Sequence, residues 1–184
     1  MTHDEAVALI AGMAHPEPAT WADLGCGDGT FTLALAQLLP ATSIIHAIDR
    51  DAGLLRRIPR THDGTSIVTH AGDFTAFPWP FGPVQGVLMA NALHYIRDRT
   101  AFLRACEPAM LRPRRFLIVE YDTDRANAWV PYPISRQALR QTFKELEYGT
   151  VRLLGSKASI YRRAPIYAAA IEKDTSAKGV RVQR

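Results

Sequence analysis

The chain has 184 residues, of which 47% are apolar, and this favours one globular domain with a full hydrophobic core over a disordered chain. Its formal net charge of +4 is a mild basic excess without the aromatic-interleaved basic stripe of a nucleic-acid-binding surface. Cys26 and Cys106 lie in unlike contexts, which argues against a disulfide scaffold and favours the cytoplasm. No apolar run approaches the roughly 20 residues of a membrane span, and no secretory signal is evident at the start.

Apolar residues at helical spacing predict a first helix over 4–14, which Pro16 and Pro18 end. A short apolar strand follows over Ala19–Leu24, and a helix is predicted over Thr30–Leu39. The chain therefore begins as helix, strand and helix, and a glycine-rich turn joins the last two.

Three alternate glycines, Gly25, Gly27 and Gly29, form this turn after the acidic residue Asp23. Glycine permits positive φ and carries no Cβ atom to keep a ligand away, and the following helix start presents free N–H groups. The spacing differs from the G-x-G-x-x-G of dinucleotide folds, and no Gly-Lys-Ser/Thr phosphate loop is present. The remaining alternative is a glycine-rich turn that binds nothing.

The second strand, Ser43–Ile48, is nearly continuous in apolar residues, as buried parallel strands are, and it ends at Asp49. A carboxylate at that point can accept hydrogen bonds from both hydroxyl groups of a ribose. Asp51 is the alternative acid, but it also suits the cap of a short helix over Ala52–Ile58. We favour Asp49 because it follows the strand directly.

A polar turn is predicted over Pro59–Gly64, and a third strand over Ser66–His70 precedes Asp73 and Phe74. Asp73 can accept a hydrogen bond from an adenine amino group, and Phe74 can place its ring or its backbone N–H at the base. The alternatives are a turn aspartate and a core phenylalanine.

The fourth strand, Val84–Ala90, leads into Asn91 and His94. Ligands of open α/β sheets bind outside the carboxyl ends of the strands, where the strand order reverses, so this segment is the expected floor of a site. Beyond it the sequence predicts a helix, a fifth strand, a capped helix and a late strand pair, which occupy Asp98–Met110, Phe116–Tyr121, Ser135–Leu146, Thr150–Leu154 and Ile166–Ile171.

His94 is the best candidate for a catalytic base, because it follows the fourth strand and imidazole titrates near neutral pH. The alternative is a histidine that caps or packs. Tyr132, in the long loop over 122–134, is a second candidate for substrate contact, and further candidates are Tyr95, Tyr121 and Asp122. Glu120 could be a member of a buried pair or a substrate contact, and the sequence does not separate these two roles.

The acid-x-Gly-x-Gly-x-Gly pattern from Asp23 to Gly29 closely resembles motif I of class I S-adenosylmethionine-dependent methyltransferases. The resemblance implies a Rossmann-like, doubly wound α/β sheet of seven mostly parallel strands with one antiparallel strand. It implies a single domain over 1–172, with a tail over 173–184 that we expect to be disordered. The long late connection and the tail carry basic residues, namely Arg162, Arg163, Lys178, Arg181 and Arg184.

The resemblance also implies the residues that hold the cofactor, S-adenosylmethionine. Its methionine end would lie against Asp23 and the loop Gly25, Cys26, Gly27 and Gly29, with the backbone of Asn91 near its amino group. Asp49 would take the ribose, and Asp73 and Phe74 the adenine. Arg50 follows the ribose acid where many members of the family carry a small or apolar residue, so the packing on the second face of the adenine is open.

The segment Asn91-Ala92-Leu93-His94 lacks the Asn/Asp-Pro-Pro-Tyr/Phe pattern of nucleic-acid amino methyltransferases and looks like small-molecule members of the family. We therefore expect metal-independent methyl transfer to a small-molecule acceptor, with no nucleic-acid partner and no membrane association. A non-catalytic cofactor-binding protein and an RNA methyltransferase are the alternatives, and a nicotinamide oxidoreductase is disfavoured by the glycine spacing. The sequence does not indicate the acceptor or the oligomeric state.

Overall fold

A computed structural model describes residues 1–13, 16–158 and 164–173. Five helices are described, α1 His3–Ile10, α2 Thr30–Leu38, α3 Ala52–Leu55, α4 Arg99–Cys106 and α5 Arg136–Glu145. Eight strands are described, β1 Thr20–Leu24, β2 Ile44–Asp49, β3 Thr61–His62, β4 Thr65–Ala71, β5 Val84–Ala90, β6 Met110–Tyr121, β7 Thr150–Lys157 and β8 Ile166–Glu172. Single 3₁₀ turns lie at Ala11–Met13, Leu93–Tyr95 and Glu107–Ala109.

All eight described strands form one sheet in the order β3-β4-β2-β1-β5-β6-β8-β7. Strand β1 pairs in parallel with β2 on one side and with β5 on the other. The chain therefore winds outward from β1 to β4, returns to the centre and continues from β5 to the opposite edge. The predicted doubly wound α/β fold is confirmed, and its switch point lies between β1 and β5.

The predicted strand count is wrong by one, because the polar turn predicted over Pro59–Gly64 contains β3. Thr61 and His62 pair antiparallel with β4 through a two-residue turn at Asp63 and Gly64, whose φ angles are 46° and 79°. Asp-Gly is a favoured pair for such a hairpin turn. Two residues are too few for an alternating pattern, so periodicity does not reveal the strand. Two strands, β3 and β8, thus run against the others, where one was expected.

Helices cover both faces of the sheet, because side chains alternate along each strand. On one face Trp21 packs in a buried cluster with residues of α1 and α2, including Ile10 and Leu35. On the other face Ala22 belongs to a cluster that includes Leu103 of α4 and Phe143 of α5.

The helix predicted over Asp98–Met110 is shorter than expected, and the strand predicted at Phe116 starts earlier. Asp98 caps α4, but the helix ends at Cys106 and β6 begins at Met110. The pairing of β5 with β6 shifts register between Val84 and Gly86, which accommodates Pro113 within β6. Ala14, at the end of the predicted first helix, lies outside the described residues, as do Arg162, Arg163 and the tail 174–184.

Candidate active site

The glycine loop leaves β1 with three left-handed residues, since Gly25, Gly27 and Gly29 have φ angles of 76°, 57° and 86°. A Cβ atom at Gly25 would lie 2.8 Å from the Cβ of Ala92, so this glycine lets two loops approach each other. A Cβ atom at Gly27 would have no heavy atom within 4 Å. The backbone at Gly27 therefore faces open space, whereas Gly25 lies in a packed contact.

Asp49 ties the end of β2 to this loop. Its carboxylate accepts hydrogen bonds from the backbone N–H of Gly27 at 2.8 Å and of Asp51 at 2.9 Å. Asp51 caps α3, because its side chain accepts from the N–H of Gly53 at 2.7 Å. Of the two acids considered from the sequence, Asp51 is thus the helix cap and Asp49 lies beside the glycine loop.

A cleft of about 420 Å³ opens at this point, beside the switch between β1 and β5. It is lined by Gly25, Asp49, Arg50, Phe74, Thr75, Asn91, Ala92, Tyr95 and Ile96. Its volume lies within the roughly 300–1,000 Å³ of small-molecule sites. The fold therefore brings five of the predicted site residues to one cleft from four separate loops.

Two oxygen atoms near the loop lack hydrogen-bond partners within the described part of the chain. Asp23 is buried, and Thr32 donates to its Oδ2 at 2.6 Å, but Oδ1 has no partner. The Oδ1 atom of Asn91 is likewise buried and unpartnered, on a residue with a φ angle of 53°. Burial, with a further contribution from Asp49, raises the pKa of Asp23 to about 7. An N–H or ammonium donor would satisfy such oxygens.

Cys26 lies in the loop between Gly25 and Gly27 and is half-buried with a free thiol. Burial, and then the nearby carboxylates of Asp23 and Asp49, raise the pKa of this thiol far above its usual range. The thiol is therefore a poor nucleophile, in agreement with a structural place in the loop.

Arg50 and Asp73 form an ion pair that links the ends of β2 and β4. Thr75 donates to Asp73 Oδ1 through its hydroxyl at 2.7 Å and its N–H at 2.9 Å. These bonds, and then Arg50, hold the pKa of the Asp73 carboxyl below its usual range. The residues that line the cleft here are Arg50, Phe74 and Thr75, and Asp73 is not among them.

His94, the predicted catalytic base, lies in the 3₁₀ turn that follows Asn91, and its side chain is only 3% exposed. Its Nδ1 atom lies 2.7 Å from Oε2 of Glu120, and its backbone N–H donates to Oε1 at 3.1 Å. Glu120 is therefore a member of a buried pair, one of its two predicted roles. The His94 ring lies behind Tyr95, with 4.4 Å between the ring centroids, and does not line the cleft.

Tyr132 also lies outside the cleft, and its side chain is exposed. Its backbone N–H donates to the carbonyl of His94 at 3.0 Å, and its own carbonyl accepts from Arg99 at 2.6 Å. The loop over 122–134 thus connects to the His94 turn through the backbone of Tyr132.

Sequence reasoning missed two residues of the cleft wall, Thr75 and Ile96, whereas Ala92 and Tyr95 belong to the segment after β5 that was expected to form the floor of the site. Each is adjacent or close in sequence to a predicted residue at the carboxyl end of a strand. That position was the available signal, but their common side-chain types carry no chemical signature of their own.

The described part of the chain contains no helix long and apolar enough to cross a membrane. Within the same residues, no cluster of three or more His, Cys, Asp or Glu side chains could hold a metal ion.

The sequence profile of the family described as "Methyltransferase domain" matches residues 22–113, from β1 through the cleft to the start of β6. The chain belongs to this family. Its fold and glycine loop place it among the class I S-adenosylmethionine-dependent methyltransferases, which are enzymes.

Solved structures of the same fold have low sequence identity. The magnesium protoporphyrin IX methyltransferase of Synechocystis PCC 6803 with bound SAM has a TM-score of 0.67 at 13% identity, over 94% of this chain and 78% of that one. A Burkholderia thailandensis 1,6-didemethyltoxoflavin-N1-methyltransferase, with that compound and S-adenosylhomocysteine bound, has a TM-score of 0.65 at 17% identity, over 93% and 77%.

A curated relative, ribosomal RNA small subunit methyltransferase H of Delftia acidovorans, is 34% identical over 87 residues. The match covers 47% of this chain and only 28% of that protein. It therefore concerns a shared segment, and the activity of the relative does not transfer with it.

The cleft and the glycine loop beside it fit S-adenosylmethionine, although Asp23 and Gly27 are not among the residues that line the cleft. Gly27 offers backbone without a side chain, and Asp23 and Asn91 present unpartnered oxygens close by. A dinucleotide would instead need the longer G-x-G-x-x-G turn, which is absent.

Proposed function

We propose that this protein transfers the methyl group of S-adenosylmethionine to a small-molecule acceptor without a metal ion. The observation that carries the proposal is the cleft at the switch point, where Gly25, Asp49 and Asn91 meet. The sulfonium supplies an already activated methyl group. The chain then has to hold the acceptor in line and exclude water, and such positioning is worth about 7–11 kcal/mol of barrier.

We assign the methionine end of the cofactor to Asp23, Asn91 and the loop Gly25–Gly29, because unpartnered oxygens lie there. Asp49, which borders the cleft at the end of β2, takes the ribose hydroxyls. The adenine lies against Phe74. Asp73 contributes its carboxylate at that end, and Arg50 lies over the second face of the base.

We assign the acceptor to the side of the cleft formed by Tyr95 and Ile96, next to the His94 turn and the loop that carries Tyr132. His94 is the proposed base. Its Nε2 atom has no hydrogen-bond partner among the described residues, and the proposal requires the exposed ring of Tyr95 to turn aside so that an acceptor reaches it.

Two observations support a small acceptor. The segment after β5 lacks the paired prolines with which nucleic-acid amino methyltransferases hold a planar amino group. Among the structures of similar fold, the Burkholderia thailandensis enzyme is named for a small heterocycle and contains it. We also propose a reducing compartment, the cytoplasm, because Cys26 and Cys106 are both free thiols.

Isothermal titration calorimetry with S-adenosylmethionine and S-adenosylhomocysteine tests the cofactor assignment. We expect both to bind, and Asp49→Asn to weaken both, whereas Asp63→Asn, at the distant hairpin turn, leaves binding unchanged. Absence of binding at millimolar cofactor would refute the proposal. Release of S-adenosylhomocysteine with a panel of small acceptors then separates an enzyme from a non-catalytic cofactor-binding protein.

An RNA acceptor is the second candidate, since the relative from Delftia acidovorans is named for ribosomal RNA. Arg125, Arg140 and Lys144 line a groove of about 970 Å³ and form no ion pair among the described residues. If RNA is the acceptor, its retention must fall steeply with salt, because phosphate contacts release counterions. Retention of single-stranded RNA that is weak and indifferent to salt would remove this candidate.

A further inference from the structure

Glu120 and His94 form a buried pair beside the cleft, and neither residue is among those that we assign to the cofactor. The Glu120 side chain is 1% exposed and that of His94 3%. Both carboxylate oxygens of Glu120 are engaged by the same residue, Oε1 by the backbone N–H of His94 and Oε2 by its Nδ1. This bidentate contact fixes the orientation of the carboxylate as well as that of the ring.

The contact also decides where the proton of the imidazole lies. A carboxylate only accepts hydrogen bonds, so with Glu120 as a carboxylate the 2.7 Å contact to Oε2 places the ring proton on Nδ1. The lone pair of the neutral ring then lies on Nε2, which no hydrogen bond of the described residues engages. The second nitrogen of a histidine is commonly set in this way by the partner of the first.

We propose that Glu120 is a positioning residue that holds His94 as its Nδ1–H tautomer and keeps Nε2 as the proton acceptor of the reaction. The inference rests on the proposed function and deepens it, because a base is useful only for an acceptor whose methylated atom carries a proton. The acceptor class is therefore a hydroxyl, phenol or ring N–H compound. An ionised carboxylate or thiolate needs no base.

The location of the pair supports this role. Val119, next to Glu120, accepts the N–H of Asn91 at 2.8 Å, so β6 carries Glu120 to the level of the cleft floor. Tyr95 lines the cleft and contacts the His94 ring, with 4.4 Å between the ring centroids, and as a residue it is 56% exposed. An exposed ring has room to rotate, and its rotation gives Nε2 a path to the acceptor.

The proton balance of the step is complete within this pair. The acceptor atom bonds to the methyl carbon while the carbon–sulfur bond breaks and leaves its electrons on sulfur. The proton of the acceptor passes to Nε2 of His94. The carboxylate of Glu120 balances the imidazolium charge until the proton leaves to water.

Glu120→Gln tests the tautomer without relying on turnover. The backbone N–H of His94 can only donate, so it selects the amide oxygen of the new side chain, and the amide NH₂ group must then face Nδ1. Because that group donates, the ring proton should move to Nε2. Nitrogen-15 NMR of the imidazole reports which nitrogen carries the proton, and His94→Gln assigns the signal among the 6 histidines.

We expect the wild-type protein at pH 8 to show a protonated Nδ1 and an unprotonated Nε2, and Glu120→Gln to show the reverse. Glu172→Gln is the matched control, because Glu172 lies on β8 and forms an ion pair with Arg115 of β6. It should leave the His94 signals unchanged. An unprotonated Nδ1 in the wild-type protein would overturn the inference even if Glu120→Gln does not fold.

The same samples keep the two proposals apart. S-adenosylmethionine affinity should be equal in the wild-type protein and in Glu120→Gln. If neither protein binds the cofactor, the proposed function is refuted, whereas the tautomer observed by NMR is unaffected. With a phenol or ring N–H acceptor, Glu120→Gln should lower kcat by about 10²–10⁴-fold at unchanged cofactor affinity. Equal kcat in the two proteins would show that Glu120 has a structural role only and would refute its role in positioning His94.

Discussion

Gly27 combines a left-handed backbone, with a φ angle of 57°, and open space where a side chain would be. Alanine there meets no neighbour, so its cost to stability is the backbone term of about 1–2 kcal/mol. Its methyl group would occupy the space that we assign to the cofactor. Gly27→Ala should therefore weaken S-adenosylmethionine binding by about tenfold or more, as measured by calorimetry.

Gly82→Ala is the matched control for this change, because a Cβ atom at Gly82 also meets nothing within 4 Å and the residue has no positive φ. We expect it to alter neither the urea unfolding midpoint nor the cofactor affinity. Equal affinity of Gly27→Ala and the wild-type protein would show that the cofactor does not lie against this residue.

The pKa of Asp23, about 7 in the folded protein, is raised above the ordinary 3.8 because burial disfavours the charged form. At a pH between 3.8 and about 7, the Asp23 carboxyl keeps its proton in the folded state and has lost it in the unfolded chain. The stability from this group is therefore fully present below about pH 4 and is lost as the pH rises to about 7.

Asp23→Asn removes this titration. Over the interval from about pH 4 to 7, the unfolding free energy of the wild-type protein should fall relative to that of the variant. Urea unfolding at a series of pH values measures the difference, and Asp4→Asn, on the exposed start of α1, supplies the comparison for an exposed carboxylate. A difference that rises with pH would contradict a raised pKa of the buried Asp23 carboxyl.

Among the elements, β1 and β5 flank the switch point, and their packing depends on one small residue. A Cβ atom at Gly86 would lie 2.5 Å from ring atoms of Trp21, so the glycine of β5 makes room for the indole of β1. Gly86→Ala should cost about 1–3 kcal/mol of stability through overpacking. In a Trp21→Phe background the same change should cost less, since the smaller ring leaves space, and additive losses in urea unfolding would refute this contact.

The long elements could be predicted from sequence because their residues carry strong local signals. Strand β5 matches the predicted Val84–Ala90, and α5 begins directly after its cap Ser135, as expected. Strand β3 and the early start of β6 at Met110 depend on pairing with distant strands, and local periodicity does not contain that information.

The candidate site was predictable where a residue type is tied to a turn. The glycines and Asp49 follow from strand ends, and the structure brings Asp49 to the loop. A packed His94 and a buried Glu120 were among the alternatives, but the sequence did not favour them, because the contact joins residues 26 positions apart and His94 also packs against the ring of Tyr95. Sequence spacing places a residue at an edge of the sheet, but it does not indicate which of the neighbouring side chains lines the cleft.

At the scale of the molecule, cofactor binding to the folded state alone should raise overall stability. At a cofactor concentration 100 times the dissociation constant, the gain is about 2.7 kcal/mol. For a chain of this length each 1 kcal/mol corresponds to about 2–4 °C in melting temperature. Differential scanning fluorimetry should therefore show a rise of roughly 5–11 °C with S-adenosylhomocysteine and none with NADH. A rise with NADH alone would favour an oxidoreductase.

The two outer strands of the sheet are the places where the strand of another chain could add to it. Strand β3 has only two residues, Thr61 and His62, and pairs with only the first two residues of β4, so most of β4 is left uncovered at this edge. At the opposite edge, Arg152 and Lys157 of β7 bind the carbonyl of Gly12 and the carboxylate of Glu5. The contacts of β7 protect one edge of the sheet, whereas lengthening the hairpin at Asp63 with apolar residues would give the other edge a long apolar strand, which is a template for self-assembly.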